Sequence, residues 1–187
     1  MALEYAKKHP KNVTNVVMIG ISPNLSKSSE KLIEQNWKES VNPERKKILK
    51  DNFLRLPDEK LSKLSPSQAF IQSYIRNGPR AWYDPQFDSS PLWEGVEINM
   101  DMFIYMWGRV FRDIEITKGI DDFHQPIFLA LGRYDYLVGP PSEWESIRSQ
   151  FHDLTVRVFE KSGHTPQYEQ PVLFDKELIN WLQLKKE

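Results

Sequence analysis

The chain has 187 residues, with 25 Lys and Arg against 26 Asp and Glu, and a formal net charge of −1. Its length suits a single domain, and its apolar fraction of 40% with 12% aromatic residues argues against a disordered chain. The balanced charge argues against nucleic acid or an anionic membrane as a partner. Cysteine is absent, which excludes disulfides and thiolate sites. The four histidines show no metal-ligand spacing, and we expect neither a metal nor a cofactor.

No segment has the character of a membrane anchor or a signal peptide. The longest apolar run, residues 16–21, has six residues, whereas a membrane-spanning helix needs about 20. The opening residues 1–8 lack the apolar region of a secretion signal. We therefore expect a soluble, cytoplasmic protein.

Helix and strand signals alternate in the first and last parts of the chain. Residues 1–9 read as the end of a helix, closed by a proline. Residues 13–21 are apolar on both faces, which predicts a buried parallel strand. A second buried strand is predicted over 127–131, and a third over 154–159, where apolar and polar residues alternate. A last helix is predicted from Pro171.

The middle of the chain, residues 25–112, is predicted to be helical, since it contains no strand signal of similar strength. Polar capping residues mark the helix starts there. Asn42 precedes a proline and predicts a helix to about residue 56. Ser65 opens a capping box, and Asn99 precedes a run with helical apolar spacing. In the last part of the chain, Ser142 predicts a further capping box.

Two residues that follow predicted parallel strands have the chemistry of an acid–base pair. Asp135 follows the strand at 127–131, and His164 follows the strand at 154–159. The carboxyl ends of parallel strands lie on one rim of a sheet, where catalytic groups collect. An Asp beside a His orients the imidazole, which then acts as a general base. The alternatives are that Asp135 caps its own turn and that His164 is an ordinary surface histidine.

Three segments resemble the α/β-hydrolase superfamily, and within it the proline iminopeptidase-like group. Residues 2–10 resemble the helix that follows the nucleophile elbow. Residues 131–135, Leu-Gly-Arg-Tyr-Asp, resemble the loop with the catalytic acid. Residues 162–171, with Ser-Gly-His-Thr-Pro at their start, resemble the loop with the catalytic histidine. The chain looks like the C-terminal part of such a protein, from just after the elbow.

The resemblance implies an α/β fold class and a partial α/β-hydrolase fold. It has a short parallel sheet of about three strands, flanked by helices, with an inserted helical cap. The core is expected from residues 1–22 and 121–187, and the cap or lid from residues 23–120. Asp135 is the expected catalytic acid and His164 the expected base.

No Gly-x-Ser-x-Gly segment occurs in the sequence, and the resemblance places this nucleophile elbow before residue 1. The nearest imitation is Gly20-Ile-Ser22-Pro, which lacks the second glycine. We expect a serine-type hydrolase of amide or ester bonds, similar to an aminopeptidase, that is inactive as this chain alone. The alternative is a non-catalytic dimeric remnant, or a module that binds small molecules or complements another half.

Candidate substrate-binding residues lie in the predicted cap. Trp93 and Trp107 suit an apolar pocket, and Glu94 suits the free amine of a substrate, although the two tryptophans could equally belong to an ordinary cap core. We expect a small-molecule or short-peptide substrate. In the family, the strand equivalent to residues 13–21 is interior. Its open edge here predicts a homodimer or pairing with another chain.

Overall fold

Three parallel strands form a sheet in the computed structural model, which describes residues 1–185. Strand β1 comprises Val16–Ile19, β2 Ile127–Gly132 and β3 Leu154–Phe159, in the order β1-β2-β3. The first residues of the three strands are aligned in register. The predicted parallel sheet is therefore confirmed, with β1 shorter than the predicted 13–21.

Strand β2 is the centre of the core, because all six of its residues are buried. Successive side chains of a strand point to opposite faces, and each face of β2 packs into its own apolar cluster. One cluster contains Leu3, Ala6, Val16, Met18, Ile116, Ile120, Phe123, Ile127, Leu129, Leu131, Trp144, Phe151 and Leu154. The other contains Phe128, Ala130, Phe159, Phe174 and Trp181. Burial on both faces explains why β2 shows no polar alternation.

Short helices close both faces of the sheet. Helix α1 (Ala2–Lys8) and helix α8 (Pro141–Glu145), which is followed by a 3-10 turn at Arg148–Gln150, cover the first face. Helix α10 (Pro171–Leu184) covers the second face with Phe174 and Trp181. Helix α9 (Pro166–Glu169) precedes it and packs near β2.

A helical segment connects β1 to β2. Its elements are α2 (Lys27–Ser40), α3 (Pro43–Arg55), α4 (Asp58–Leu61), α5 (Pro66–Arg76), α6 (Gly78–Ala81), a 3-10 turn (Ser90–Trp93), α7 (Met100–Tyr105) and a π-helical turn (Met106–Phe111). Within residues 1–185, no helix is both long enough and apolar enough to cross a membrane. Ile116 and Ile120, near the end of the predicted cap, pack in the first core cluster of the sheet.

Three of the four predicted helix caps are confirmed. The side chains of Asn42, Ser65 and Asn99 each accept a hydrogen bond from a backbone N–H three residues later. The prediction for Ser142 is wrong, because helix α8 is capped by Pro140, two residues earlier, and is only five residues long. Proline is well suited to the first helical position, and this places the Ser142 hydroxyl inside the helix.

Helix α2 lies in the segment predicted to be helical, but its bounds were not predicted from the sequence. It contains few apolar residues, and its start depends on Ser26, whose side chain accepts from the N–H of Ser29. The predicted helix after Asn99 is confirmed, but its second half has the wider π-helical winding.

Candidate active site

The candidate active site lies on the rim formed by the carboxyl ends of the three strands. Because the strands are parallel, the loops after β1, β2 and β3 emerge at the same edge of the sheet. The loop after β2 contains Asp135, and the loop after β3 contains His164.

Asp135 and His164 are hydrogen-bonded to each other. The imidazole Nδ1 lies 2.8 Å from Oδ2 of Asp135, and the other carboxylate oxygen accepts from the backbone N–H of Leu137 at 2.9 Å. A carboxylate can only accept, so Nδ1 carries the proton and donates it. The Asp135 side chain is 2% exposed and that of His164 is 28% exposed. The acid is thus held inside, while the base keeps access to the surface.

The surroundings of His164 favour its protonated form. Burial by itself would lower the pKa of His164. The hydrogen bond and the negative charge of Asp135, with a smaller contribution from Glu169, act in the opposite direction. Together they raise the pKa of His164 above its usual range, which suits an imidazole that accepts a proton during a reaction.

Close backbone contacts hold the His164 loop against the helical segment, against β2 and against the loop after β1. The N–H of His164 donates to the carbonyl oxygen of Ala81 at 2.6 Å. A Cβ at Gly132 would lie 1.8 Å from the carbonyl oxygen of Gly163, so only glycine allows this approach of β2 to the histidine loop. Gly20, after β1, has φ +55°, and a Cβ there would lie 2.6 Å from the His164 carbonyl oxygen. The loop after β1 and the end of β2 are therefore both packed against the histidine loop.

A cavity of about 690 Å³ opens beside His164. Its walls come from β1, the start of helix α1 and the helical segment. The lining residues with side chains are mostly apolar, and they include Leu3, Val17, Ile19, Ile21, Ile33, Tyr74, Trp107, Phe111 and Leu137. The cavity can therefore hold an apolar group next to the imidazole.

The hydroxyl of Ser22 is used elsewhere. Its Oγ accepts from the backbone N–H of Gly139 at 2.9 Å. Within residues 1–185, no hydroxyl group makes a hydrogen bond to the His164 ring. Ser22 thus joins the loop after β1 to the segment before α8 and is not engaged with the base.

The structure brings Trp107 to the His164 cavity, but it does not bring Trp93 or Glu94 there. Both of the latter line a separate cleft of about 470 Å³. Trp93 packs edge-on against Tyr74, with ring centroids 5.4 Å apart, and Tyr74 itself lines the His164 cavity. Tyr74 was not singled out from the sequence, because an aromatic residue on an amphipathic helix gives no sign of which space it lines.

Charged groups do not form a metal site here. Across the part of the chain that the structure describes, no group of three or more His, Asp or Glu side chains is arranged to hold a metal ion.

Comparison with known proteins connects this geometry to a known fold. No family model matches the chain. An "AB hydrolase superfamily protein YclE" of Bacillus subtilis (strain 168) is 34% identical over 182 residues, which are 97% of this chain and 64% of the relative. Solved structures match at lower identity. VinJ superposes with a TM-score of 0.66 at 16% identity, covering 97% of this chain and 61% of VinJ.

Two further structures agree. A proline iminopeptidase of Mycobacterium smegmatis has a TM-score of 0.63 at 13% identity, with 98% of this chain and 61% of that protein covered. An alpha/beta fold family hydrolase of Bacillus anthracis str. Sterne has a TM-score of 0.60 at 16% identity, with 94% and 60% covered. The chain contains part of the α/β-hydrolase fold. It spans 64% of the length of the curated relative, and Asp135 and His164 lie on the strand rim where α/β folds collect catalytic groups.

Proposed function

We propose that this part of an α/β-hydrolase fold supplies the general base and its orienting acid for serine-type hydrolysis of amide or ester bonds. The observation that carries the proposal is the 2.8 Å contact between Nδ1 of His164 and Oδ2 of Asp135 at the mouth of an apolar cavity. The similarity to an AB hydrolase superfamily protein supports the same reaction class.

The proposed chemistry follows from the free ring nitrogen. Because Nδ1 donates to Asp135, Nε2 is the atom that takes the proton of a nucleophilic hydroxyl as its oxygen attacks the substrate carbonyl. The buried carboxylate of Asp135 stabilises the imidazolium that forms. His164 then gives the proton to the leaving amine or alcohol. A water molecule releases the acyl group by the same sequence of proton transfers.

The nucleophile is proposed to come from outside these 187 residues. They contain no Gly-x-Ser-x-Gly segment, and Ser22 is bonded to Gly139 instead of to His164. We therefore propose that the chain alone has little or no activity. Without a nucleophile and an oxyanion hole, most of the catalytic advantage is lost.

For the substrate, we propose an aminopeptidase-like activity on a short peptide or small molecule. One structural neighbour is a proline iminopeptidase, and residues 23–120 would serve as the cap over the site. The apolar cavity, with Trp107 in its wall, would take the apolar side of the substrate. We place this reaction in the cytoplasm, since a chain without cysteine suits a reducing compartment.

A second candidate is a non-catalytic or complementing module that pairs through strand β1. Within residues 1–185, β1 pairs only with β2 and leaves its other edge open. Val17 is 37% exposed, and the cavity wall beside it is apolar. An open apolar edge favours pairing with another strand. We propose a homodimer, or a complex with a polypeptide that carries the nucleophile. In a non-catalytic protein, the same cavity would bind a small apolar molecule.

The test mixes the purified chain with a fragment of an α/β hydrolase that carries a Gly-x-Ser-x-Gly segment, and measures ester hydrolysis. We expect activity from the mixture and almost none from either part. The variant His164→Ala should abolish it, whereas the control His152→Ala should retain it. Failure to gain activity with fragments that demonstrably bind the chain would overturn the catalytic proposal. Stoichiometric labelling of the isolated chain by a fluorophosphonate would disprove an external nucleophile.

A further inference from the structure

Glu169, at the end of helix α9, bridges two separate backbone segments. Its Oε1 accepts from the backbone N–H of Tyr83 at 2.6 Å, and its Oε2 accepts from the backbone N–H of Gly163 at 2.7 Å. Tyr83 belongs to the helical segment between β1 and β2, and Gly163 immediately precedes His164. One carboxylate thus ties the predicted cap to the histidine loop with two short, charge-assisted hydrogen bonds.

A buried arginine, Arg45, holds the backbone around Tyr83, which is the part of the predicted cap that Glu169 contacts. Arg45, only 4% exposed, donates to the carbonyl oxygens of Pro79 at 2.9 Å and Trp82 at 2.7 Å, and also to that of Tyr83. Since three carbonyl groups of residues 79–83 accept from Arg45 and the Tyr83 N–H donates to Glu169, this stretch is anchored by both side chains.

The same stretch carries the direct contact with the base. The carbonyl oxygen of Ala81 accepts from the backbone N–H of His164 at 2.6 Å. Apart from Glu169, residues 79–83 hold the His164 loop through this hydrogen bond and through the packing of Gly163 against Ala81 and Trp82. We propose that Glu169 is a positioning residue, which clamps the His164 loop to residues 79–83 and keeps the imidazole in line with Asp135.

The negative charge of Glu169 also favours the protonated form of His164. The charged and titratable groups that act on His164 are Asp135 and Glu169, and both favour the imidazolium. Arg45 is attracted to Glu169 from the cap side. Burial raises the pKa of Glu169, and the hydrogen bonds from the amides of Tyr83 and Gly163 act against that rise. The ionised carboxylate makes the stronger hydrogen bonds to both amides, because a charged acceptor strengthens each bond.

This inference rests on the proposed function, because positioning matters for catalysis only if His164 is the base. Its test needs no nucleophile. NMR titration of the histidine rings would be combined with amide hydrogen exchange in the wild type, Glu169→Gln and Glu169→Asp. The control is Glu160→Gln, which removes an exposed carboxylate paired with Arg133 and not among the groups that act on His164.

In Glu169→Gln we expect a lower pKa of His164, because a negative charge is lost, and about tenfold faster exchange at the amides of Gly163 and Tyr83, since each loses a charge-assisted bond. Glu169→Asp keeps the negative charge, but its side chain is one methylene shorter and cannot reach both amides. We therefore expect faster amide exchange than in the wild type and a smaller fall in the pKa of His164 than in Glu169→Gln. Glu160→Gln should change neither quantity.

Unchanged exchange at both amides together with an unchanged pKa of His164 in Glu169→Gln would overturn the inference. The titration and exchange experiment can succeed or fail independently of the complementation experiment. If complementation fails while the titration and the exchange respond as expected, the positioning role stands and the catalytic proposal is what has failed.

Discussion

His164 donates from Nδ1 to Oδ2 of Asp135 over 2.8 Å, although the two residues are 29 positions apart in the chain. The contact arises because β2 and β3 are parallel neighbours aligned in register, so that the loops which follow them meet. It leaves Nε2 as the ring atom available for proton transfer.

Replacement of Asp135 should change stability in a way that depends on pH. The pKa of His164 is raised in the folded protein. Its ion pair therefore stabilises fully below the unfolded pKa, and this contribution is lost as the pH rises through the folded pKa. The stability difference between the wild type and Asp135→Asn should be larger near about pH 6 than near about pH 9. Urea denaturation at the two pH values measures it. An equal stability difference at both pH values would contradict a stabilising ion pair between Asp135 and His164.

Replacement of Arg45 should strongly destabilise the protein. The variant Arg45→Met keeps an apolar stem but leaves the buried carbonyl groups of Pro79 and Trp82 without their donor. We expect a loss of about 3 kcal/mol in the free energy of unfolding. The control on the same helix is Lys47→Met, since the Lys47 side chain is 75% exposed and exposed ion pairs contribute little to stability. Equal urea midpoints for the two variants would show that the guanidinium is not an anchor.

Gly132 should not tolerate even one additional methyl group. The Cβ of Gly132→Ala would lie 1.8 Å from a backbone oxygen of the histidine loop, and backbone cannot move aside as a flexible side chain does. We expect a loss of about 3 kcal/mol in stability and an altered His164 titration. Gly108→Ala is the matched control, because no atom lies within 4 Å of its added Cβ. That variant should be neutral or up to about 1 kcal/mol more stable, and thermal unfolding distinguishes the two.

A charge on strand β1 should prevent association, if the chain pairs through that edge. Val17 is 37% exposed on β1, and a lysine there would place a charge in the apolar contact. We expect Val17→Lys to sediment and scatter light as a monomer at concentrations where the wild type is a dimer. Leu54→Lys, at a position 70% exposed on helix α3, should leave the dimer intact. A wild type that is monomeric at micromolar concentration would remove the proposed dimer.

Much of the fold was predictable because its signals are local. The six buried residues of β2 form an unbroken apolar run, and Asn42, Ser65 and Asn99 satisfy free N–H groups within one helical turn. Helix α2 was not predictable from apolar spacing, because it has few apolar residues. The start of α8 was misplaced by two residues, since Pro141 takes the first helical position and Pro140 the cap.

The sequence by itself determined the parallel strands, the starts of helices α3, α5, α7 and α10 and the residue types of the acid–base pair, because these depend on apolar spacing and on side chains close in the chain. Only the tertiary structure decided which groups surround His164. It placed Trp107 in the cavity wall and Trp93 in another cleft, and it joined Glu169 to Tyr83 across 86 positions. Such contacts depend on how distant segments pack, which no local pattern of residues specifies.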